Sequence, residues 1–162
     1  MGKARTHAAL IQARLATAPL VDEEHRELPT PVDITGVDFV YARQALPVDK
    51  VAEIIGRTKG VVISMTYTGW SPLDAAQKRP RITKHYELTV WSRPLVLESG
   101  EEAKADGALY ADDVMDSVII RLWKWRPEED HVNGEVEMKG GDQVPDKRFL
   151  LYSGEISIPA FL

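Results

Sequence analysis

The sequence predicts a single α+β domain, in which a mostly antiparallel sheet packs against one long amphipathic helix and two shorter helices. Two segments, 61–68 and 81–91, alternate apolar and polar residues, as strands with one buried face do. A third segment, 106–126, carries an apolar stripe with the period of an α-helix. The length of 162 residues fits one domain, and we assign residues 1–162 to it.

The elements are predicted in the order α-β-α-β-β-α-β-β. Pro19 ends the first helix, and Pro47 sets the first turn of the second. The segment 21–36 lacks periodicity and is predicted to be a surface connection. The predicted ranges are a helix at 3–18, a strand at 37–42, a helix at 47–57, strands at 61–68 and 81–91, the long helix at 106–126, and strands at 132–138 and 149–158, the last two separated by a turn-rich KGGDQVPDK segment.

The helix at 106–126 is the strongest pattern in the chain. Acidic residues crowd its first half and basic residues its last turns, which complements the helix dipole, and Pro127 prevents its continuation. Its apolar stripe consists of Leu109, Met115, Val118, Leu122 and Trp125. We expect this stripe to pack on the sheet face that contains Ile63, Met65, Leu88 and Val90.

Few residues are arranged as catalytic or ligand-binding groups. Cysteine is absent, which excludes disulfides, thiol nucleophiles and thiolate metal sites. The four histidines lack the paired spacing of metal ligands, and the pair Gly140-Gly141 lacks the residues that complete a nucleotide-binding loop. Asp112, Asp113 and Asp116 could serve a hydrolase, but their place at a helix start is explained by the dipole. We therefore expect no enzyme and no cofactor.

Charge and hydropathy exclude two further classes of partner. A net charge of −5 argues against the basic surface that binds a nucleic-acid backbone. No apolar run approaches the roughly 18 residues of a membrane span, and the first residues lack the apolar segment of a secretory signal. We expect neither specific DNA binding nor membrane association.

Two features indicate contacts with other subunits. Trp91 falls on the polar face of its strand, where exposed aromatic residues are typical of interfaces, although a helix covering that face would explain it equally well. The chain closes with the apolar segment IPAFL. This segment can pair with a neighbour's strand edge or dock on its own domain.

The predicted loop at 69–80 is the third such feature, because it is longer than a hairpin requires. Trp70 offers an apolar anchor, and basic residues follow at its far end. An idle surface loop is the alternative interpretation. We predict an interface that comprises Trp70, Asp74, Gln77, Lys78, Arg79, Arg81, Trp91 and Phe161.

Three segments carry a family resemblance: the strand HYELTVWSRP, the helix DGALYADDVMDSVIIRLWKWRP and the closing strand RFLLYSGEISI. In order, they show an apolar strand ending in arginine, a long apolar helix with a tryptophan-proline exit, and a tyrosine-containing last strand. Together with the order of elements, they resemble the tail terminator (tail completion) proteins of long-tailed bacteriophages, of the Mu-like kind. The resemblance covers about residues 3–158.

The resemblance implies a structural subunit that assembles into a ring, with six copies expected, and caps the tail tube at its final length. The implied partners are further copies of this chain, the tail tube protein and the head–tail connector protein, while DNA passes through the lumen without specific binding. The implied location is the neck region of the virion tail, after assembly in the host cytoplasm. Another neck, connector or baseplate component, such as a head-closure protein, is the nearest alternative. A small ligand-binding α+β domain is a more distant one.

Overall fold

The computed structural model describes residues 3–16, 32–57, 60–74, 78–93 and 109–162, which form three helices and one sheet. The predicted fold class and order of elements are confirmed. In chain order the elements are α1 (Lys3–Ala16), β1 (Asp38–Ala42), α2 (Val48–Arg57), β2 (Val61–Asp74), β3 (Arg81–Ser92), α3 (Ala111–Leu122), β4 (Glu137–Gln143) and β5 (Leu150–Phe161).

The sheet has the strand order β1-β2-β3-β5-β4. β1 runs parallel to β2, with α2 as the crossover that a parallel pair needs, and the other pairs are antiparallel. β3 is central and pairs with both neighbours along its whole length. β1 reaches only residues 62–66 of β2. Among the described strands, the rest of β2 therefore forms an outer edge.

The two faces of the sheet are covered differently. On the face that we call the helix face, α1 and α3 bury apolar side chains of β2, β3 and β5. The predicted packing of the long helix is confirmed, because one buried core contains Ile11, Leu15, Val114, Met115, Val118, Leu122, Ile63, Met65, Leu88, Val90, Ile156 and Ile158. On the other face, the open face, α2 covers only the end where β2 begins, through Val51, Ile55, Val62 and Phe149.

The first turn of α3 is fixed to the sheet. Its N-cap residue, Tyr110, makes no side-chain capping bond. Instead, the Ala111 N–H donates to Ser92 Oγ at the end of β3, at 2.9 Å. Asp112 and Asp113 lie in this turn, where the helix dipole favours negative charge. The predicted helix residues 106–108 lie outside the described part of the chain.

The end of α3 differs from the prediction, because the helix stops at Leu122 rather than at residue 126. Trp123 leaves the helical conformation with a ψ of 116°, and Lys124 takes a left-handed φ of 53°. This turn brings Trp125 back onto the core of the helix face. The spacing of Trp125 in the sequence fits a continued helix, but the same contact is reached by a reversal of the chain.

β2 continues to Asp74, so the prediction of a loop over 69–80 is wrong in its first half. Gly69 and Pro72 read as strand breakers, but two irregularities in register, at Tyr67/Gly69 and Pro72/Asp74, accommodate them. β1 does not pair with this part of β2, and proline is tolerated on an edge strand. Residues 75–77 lie outside the described part of the chain.

β4 begins at Glu137, not near 132, and includes the two glycines that the sequence placed in a turn. They form a bulge against β5, in which Gly140 has a φ of 91° and Gly141 stands opposite Gly154. A Cβ on Gly141 would overlap the carbonyl oxygen of Ser153. Val132 instead makes a single bridge to Ala160. The close approach of two backbones, rather than a turn, requires this glycine.

β5 extends three residues beyond the predicted 158 and docks on its own domain. It lies between β3 and β4, and its last residues pair with the first residues of β3. The Phe161 N–H donates to the His131 carbonyl at 2.8 Å, and the Leu162 N–H donates to the Pro80 carbonyl at 3.0 Å. Of the two arrangements open for the apolar IPAFL segment, the structure has the intramolecular one.

Burial of Val118 supports a first prediction. Val118 lies on the side of α3 that faces the sheet and is fully buried. Val118→Asp therefore places a carboxylate in the core without a partner. We expect a loss of about 3–5 kcal/mol in the free energy of unfolding, measured by urea denaturation. Ile119→Asp, at the adjacent exposed position, is the control and should lose far less. Equal stability of the two variants would contradict this packing.

The bulge in β4 supports a second prediction. Gly141→Ala forces β4 away from Ser153 and should cost about 1–3 kcal/mol, as overpacking does. Gly56→Ala in α2 is a matched control, because nothing lies within 4 Å of its new methyl group. At this helical position, alanine should stabilise the fold by about 0.5–1 kcal/mol. A Gly141→Ala variant as stable as the parent in thermal denaturation would place the glycine pair in a flexible turn instead.

Candidate functional site

The outer part of the β2–β3 hairpin exposes apolar side chains beside basic ones. Trp70 exposes 62% of its surface and Leu73 exposes 44%. Trp70 lies opposite Lys84 in the strand register. Lys78 and Arg79 are exposed immediately before β3. We call this region, formed by Trp70, Leu73, Lys78, Arg79 and Lys84, the hairpin surface.

A second exposed apolar region lies between α3 and β4, the strand at the edge of the sheet distant from β1. Trp123 exposes 60% of its surface and Ile119 exposes 36%. With Met115 and Met138 they line a groove of about 350 Å³, which we call the α3–β4 groove. Among the described residues, the charged residues that line it are all acidic: Asp116, together with Asp142 and Glu155, which lie at the β4 bulge and also border the open face.

The uncovered part of the open face is polar, and its groups bond to one another. His85 Nδ1 lies 2.7 Å from Ser157 Oγ. Glu87 stands directly opposite Glu155 in the β3–β5 register, where like charges repel. Lys139 Nζ and His85 Nδ1 each lie 3.6 Å from the Glu155 carboxylate. These residues form a solvated polar surface whose side chains bond to those of neighbouring strands. They do not converge on one point as reactive groups do.

Two histidines distant in sequence meet beneath α1. His7 Nδ1 lies 2.6 Å from the Tyr86 hydroxyl, and His7 Nε2 lies 2.8 Å from His131 Nε2. His131 Nδ1 lies 3.7 Å from Glu129. One arrangement of protons satisfies the row: the Tyr86 hydroxyl donates to His7, His7 to His131, and His131 towards Glu129. Protonation of both rings would leave an N–H on each of the two facing Nε2 atoms, with no acceptor between them.

The protonation of this row follows from its burial. The pKa of His7 is lowered from 6.5 to about 3, mainly by burial and in smaller part by repulsion from positive charge on His131, Lys84 and Lys3. Burial also lowers the pKa of His131 and raises the pKa of Tyr86. All three groups are therefore neutral near pH 7. We interpret the row as a structural tie between α1, β3 and the segment before β4.

The structure brings Arg79 and Phe161 of the predicted interface together, whereas Trp70 lies farther along the hairpin, opposite Lys84. The Arg79 guanidinium contacts the end of β5. It donates from Nε to the Leu162 carbonyl at 2.8 Å and lies 5.4 Å from the centre of the Phe161 ring. Arg81, at the start of β3, is half-buried. Gln77 and the Asp74 side chain lie outside the described part of the chain.

Trp91 lies at the other end of β3, far from the hairpin surface. Its indole N–H donates to Ser64 Oγ at 3.0 Å, and its ring meets Phe149 edge to face at 5.9 Å. It belongs to the cluster that α2 covers. The alternative explanation from the sequence, a helix over this face, therefore accounts for the position of Trp91.

Sequence reasoning missed the α3–β4 groove. Ile119 lies on α3 and Trp123 directly follows the helix, four residues later; neither belongs to the buried stripe. An isoleucine and a tryptophan off the core stripe were the available signal. Met138 and Tyr152, which complete the lining, come from strands whose register the sequence does not reveal.

The described residues show neither a metal-binding cluster nor a membrane-spanning helix. Within the described ranges, no three histidine, aspartate or glutamate side chains are placed to hold a metal ion. None of the described helices is long and apolar enough to span a membrane. No family model matches this chain, and no curated protein does. The two exposed apolar surfaces are the features of the described residues that bear most directly on function.

The buried histidine row supports a prediction of pH dependence. The unfolded chain protonates His7 below about pH 6.5, whereas the folded protein resists until about pH 3. The free energy of unfolding should therefore be retained above pH 6.5 and fall as the pH decreases towards 3, by up to about 1.4 kcal/mol per pH unit for this group.

This dependence is measured by urea denaturation between pH 4 and 8. In His7→Met the titrating group is gone, so its slope should be shallower than that of the parent. Gln12→Met, at an exposed position of α1, introduces the same side chain without removing a titrating group, so it is the control and should keep the parent slope. An unchanged slope in His7→Met would show that His7 does not couple folding to protonation.

Proposed function

We propose that this chain is a structural subunit that assembles with copies of itself into a ring and caps a bacteriophage tail tube, as a tail terminator protein does. The observation that carries this proposal is the pair of exposed apolar surfaces at opposite edges of one sheet. Contiguous exposed apolar residues centred on tryptophan are typical of protein interfaces. Two different complementary surfaces on one subunit give a head-to-tail assembly, which becomes a ring when its rotation closes.

The sequence resemblance supports the remaining parts of the proposal: six copies, contact with the tail tube and the head connector, and a position in the neck of the virion. The open face is compatible with a DNA passage. It presents Glu87 and Glu155, and carboxylates repel the phosphates of DNA. A passage lined in this way would let DNA move without binding it.

A small ligand-binding domain has one observation in its favour. The α3–β4 groove has a volume at the lower end of the range of about 300–1,000 Å³ that small-molecule sites occupy. That function leaves the exposed Trp70 and Leu73 unexplained. Saturable binding of a small apolar dye by a chain that stays monomeric at every concentration would favour it.

Imaging of the chain in a purified particle separates a tail terminator from another neck component.

Removal of apolar side chains from the hairpin surface tests the assembly. The purified chain should form rings visible by negative-stain electron microscopy, with a matching mass by light scattering. Trp70→Ser combined with Leu73→Ser should shift this species to monomer while leaving the unfolding midpoint within a few degrees, because both side chains are exposed. Val144→Ser removes an exposed apolar side chain elsewhere and should still form rings. A parent chain that is monomeric at all concentrations would refute the proposed function.

The acidic balance of the chain supports a prediction about DNA. We expect no tight complex with duplex DNA at physiological salt, because few phosphates can be neutralised by a protein of net charge −5. Fluorescence anisotropy with a labelled duplex measures this directly. A submicromolar complex that weakens steeply with added salt would contradict the prediction and favour a DNA-binding neck component.

A further inference from the structure

We infer that the hairpin surface of one copy docks in the α3–β4 groove of the next copy. This inference rests on the proposed self-assembly and specifies its interface. The occupant is a second copy of this chain, presenting Trp70 and Leu73. The receiving surface is the groove lined by Ile119 and Trp123.

Charge complementarity is the first argument. The described charged side chains in the outer part of the hairpin are Lys78, Arg79, Arg81 and Lys84, and Lys84 lies opposite Trp70 in the strand register. The charged residues of the groove are carboxylates, of which Asp116 and Asp142 have no basic partner in the described ion pairs. Opposite charges around two apolar centres steer the two surfaces together and fix their register.

The same charges disfavour the symmetric alternatives. Two hairpin surfaces in contact would bring Lys78 and Arg79 of one copy against those of the other. Two grooves in contact would oppose Asp116 and Asp142 in the same way. Like charges at an interface cost affinity, so each symmetric dimer is less favourable than the heterologous contact. The chain is therefore built for head-to-tail association.

The placement of the two surfaces is the second argument. The hairpin surface lies on the part of β2 that β1 does not cover, and the groove lies beside β4 at the opposite edge of the sheet. A copy can therefore use both surfaces at once with two different neighbours. In a closed ring, each hairpin surface and each groove is covered. In an open chain, one of each remains exposed at the ends.

The size of the groove is the third argument. Its volume of about 350 Å³ lies within the range that encloses small organic molecules. An indole ring with a neighbouring leucine side chain is an occupant of this kind. Tryptophan anchors that fill apolar pockets are the contacts that dominate binding energy at protein interfaces.

Disulfide cross-linking tests the contact directly, because the chain has no cysteine of its own. The double variant Leu73→Cys/Ile119→Cys carries one thiol on each surface, at opposite edges of one subunit. Mild oxidation of the assembled protein should give a ladder of covalent multimers on a non-reducing gel. Each single variant should give no ladder, and an equal mixture of the two should give covalent dimers only. Gln12→Cys/Ala52→Cys, at exposed positions of α1 and α2, is the control and should stay uncross-linked.

A charge exchange provides an independent test. Lys78→Glu and Asp116→Lys should each weaken assembly by about three- to tenfold in the concentration at which half the protein is assembled, as expected for charges at the rim of an interface. The combination of both changes restores the opposite-charge pair. Its assembly should be closer to that of the parent than that of either single variant. Equal and additive losses would count against a direct contact.

The outcomes separate this inference from the proposed function. Rings that give no cross-linked ladder would overturn the docking mode and leave the ring intact. A ladder from open filaments would support the docking mode and overturn closure into a ring. A parent chain that stays monomeric at all concentrations would overturn both.

Discussion

The contact between α3 and the centre of the sheet is the constraint on which the other features depend. β3 pairs on both sides along its length, and the buried side of α3 rests on it and on β5 through Val118 and Leu122. Ser92 at the end of β3 caps the first turn of α3, and Tyr86 in its middle bonds to His7 of α1. Because side chains of a strand alternate between faces, the apolar set needed by α3 places the polar residues of β3 on the open face.

The edges of the sheet hinder backbone pairing with other chains but expose side chains that can make specific contacts. The uncovered part of β2 contains Pro72 and two irregularities in register, and β4 contains the Gly140-Gly141 bulge. Such features, like charged edge residues, hinder pairing with a strand of another chain. Large exposed side chains at these edges include Trp70 and Leu73 on β2, and Trp123 and Val144 beside β4. The edges therefore favour contacts through side chains, which need a defined partner surface, over backbone pairing, which does not.

The parts of the fold that follow from local periodicity could be predicted from the sequence, whereas those fixed by distant backbone contacts could not. Alternation placed Ile63 and Leu88 on one face, and the helical stripe placed Val118 against them. The bulge at Gly141 depends on the approach of Ser153, and the early end of α3 depends on the reversal at Lys124. Trp70 could be identified from the sequence because it opens a segment that is longer than a tight hairpin requires. The groove and the His7–His131 pair combine segments whose proximity no local pattern encodes.

Net charge alone says little about how such a subunit behaves, because its charges are unevenly distributed. The net charge of −5 keeps free copies apart at long range. At short range, a hairpin rich in lysine and arginine faces outward at one edge, and carboxylates surround an apolar groove at the other. Within about 10 Å, the screening length at moderate salt, the local opposite charges act more strongly than the remote like charges. Such a distribution opposes non-specific association yet favours one orientation of approach. A head-to-tail contact can therefore be selective, even though the hairpin surface and the α3–β4 groove belong to the same acidic chain.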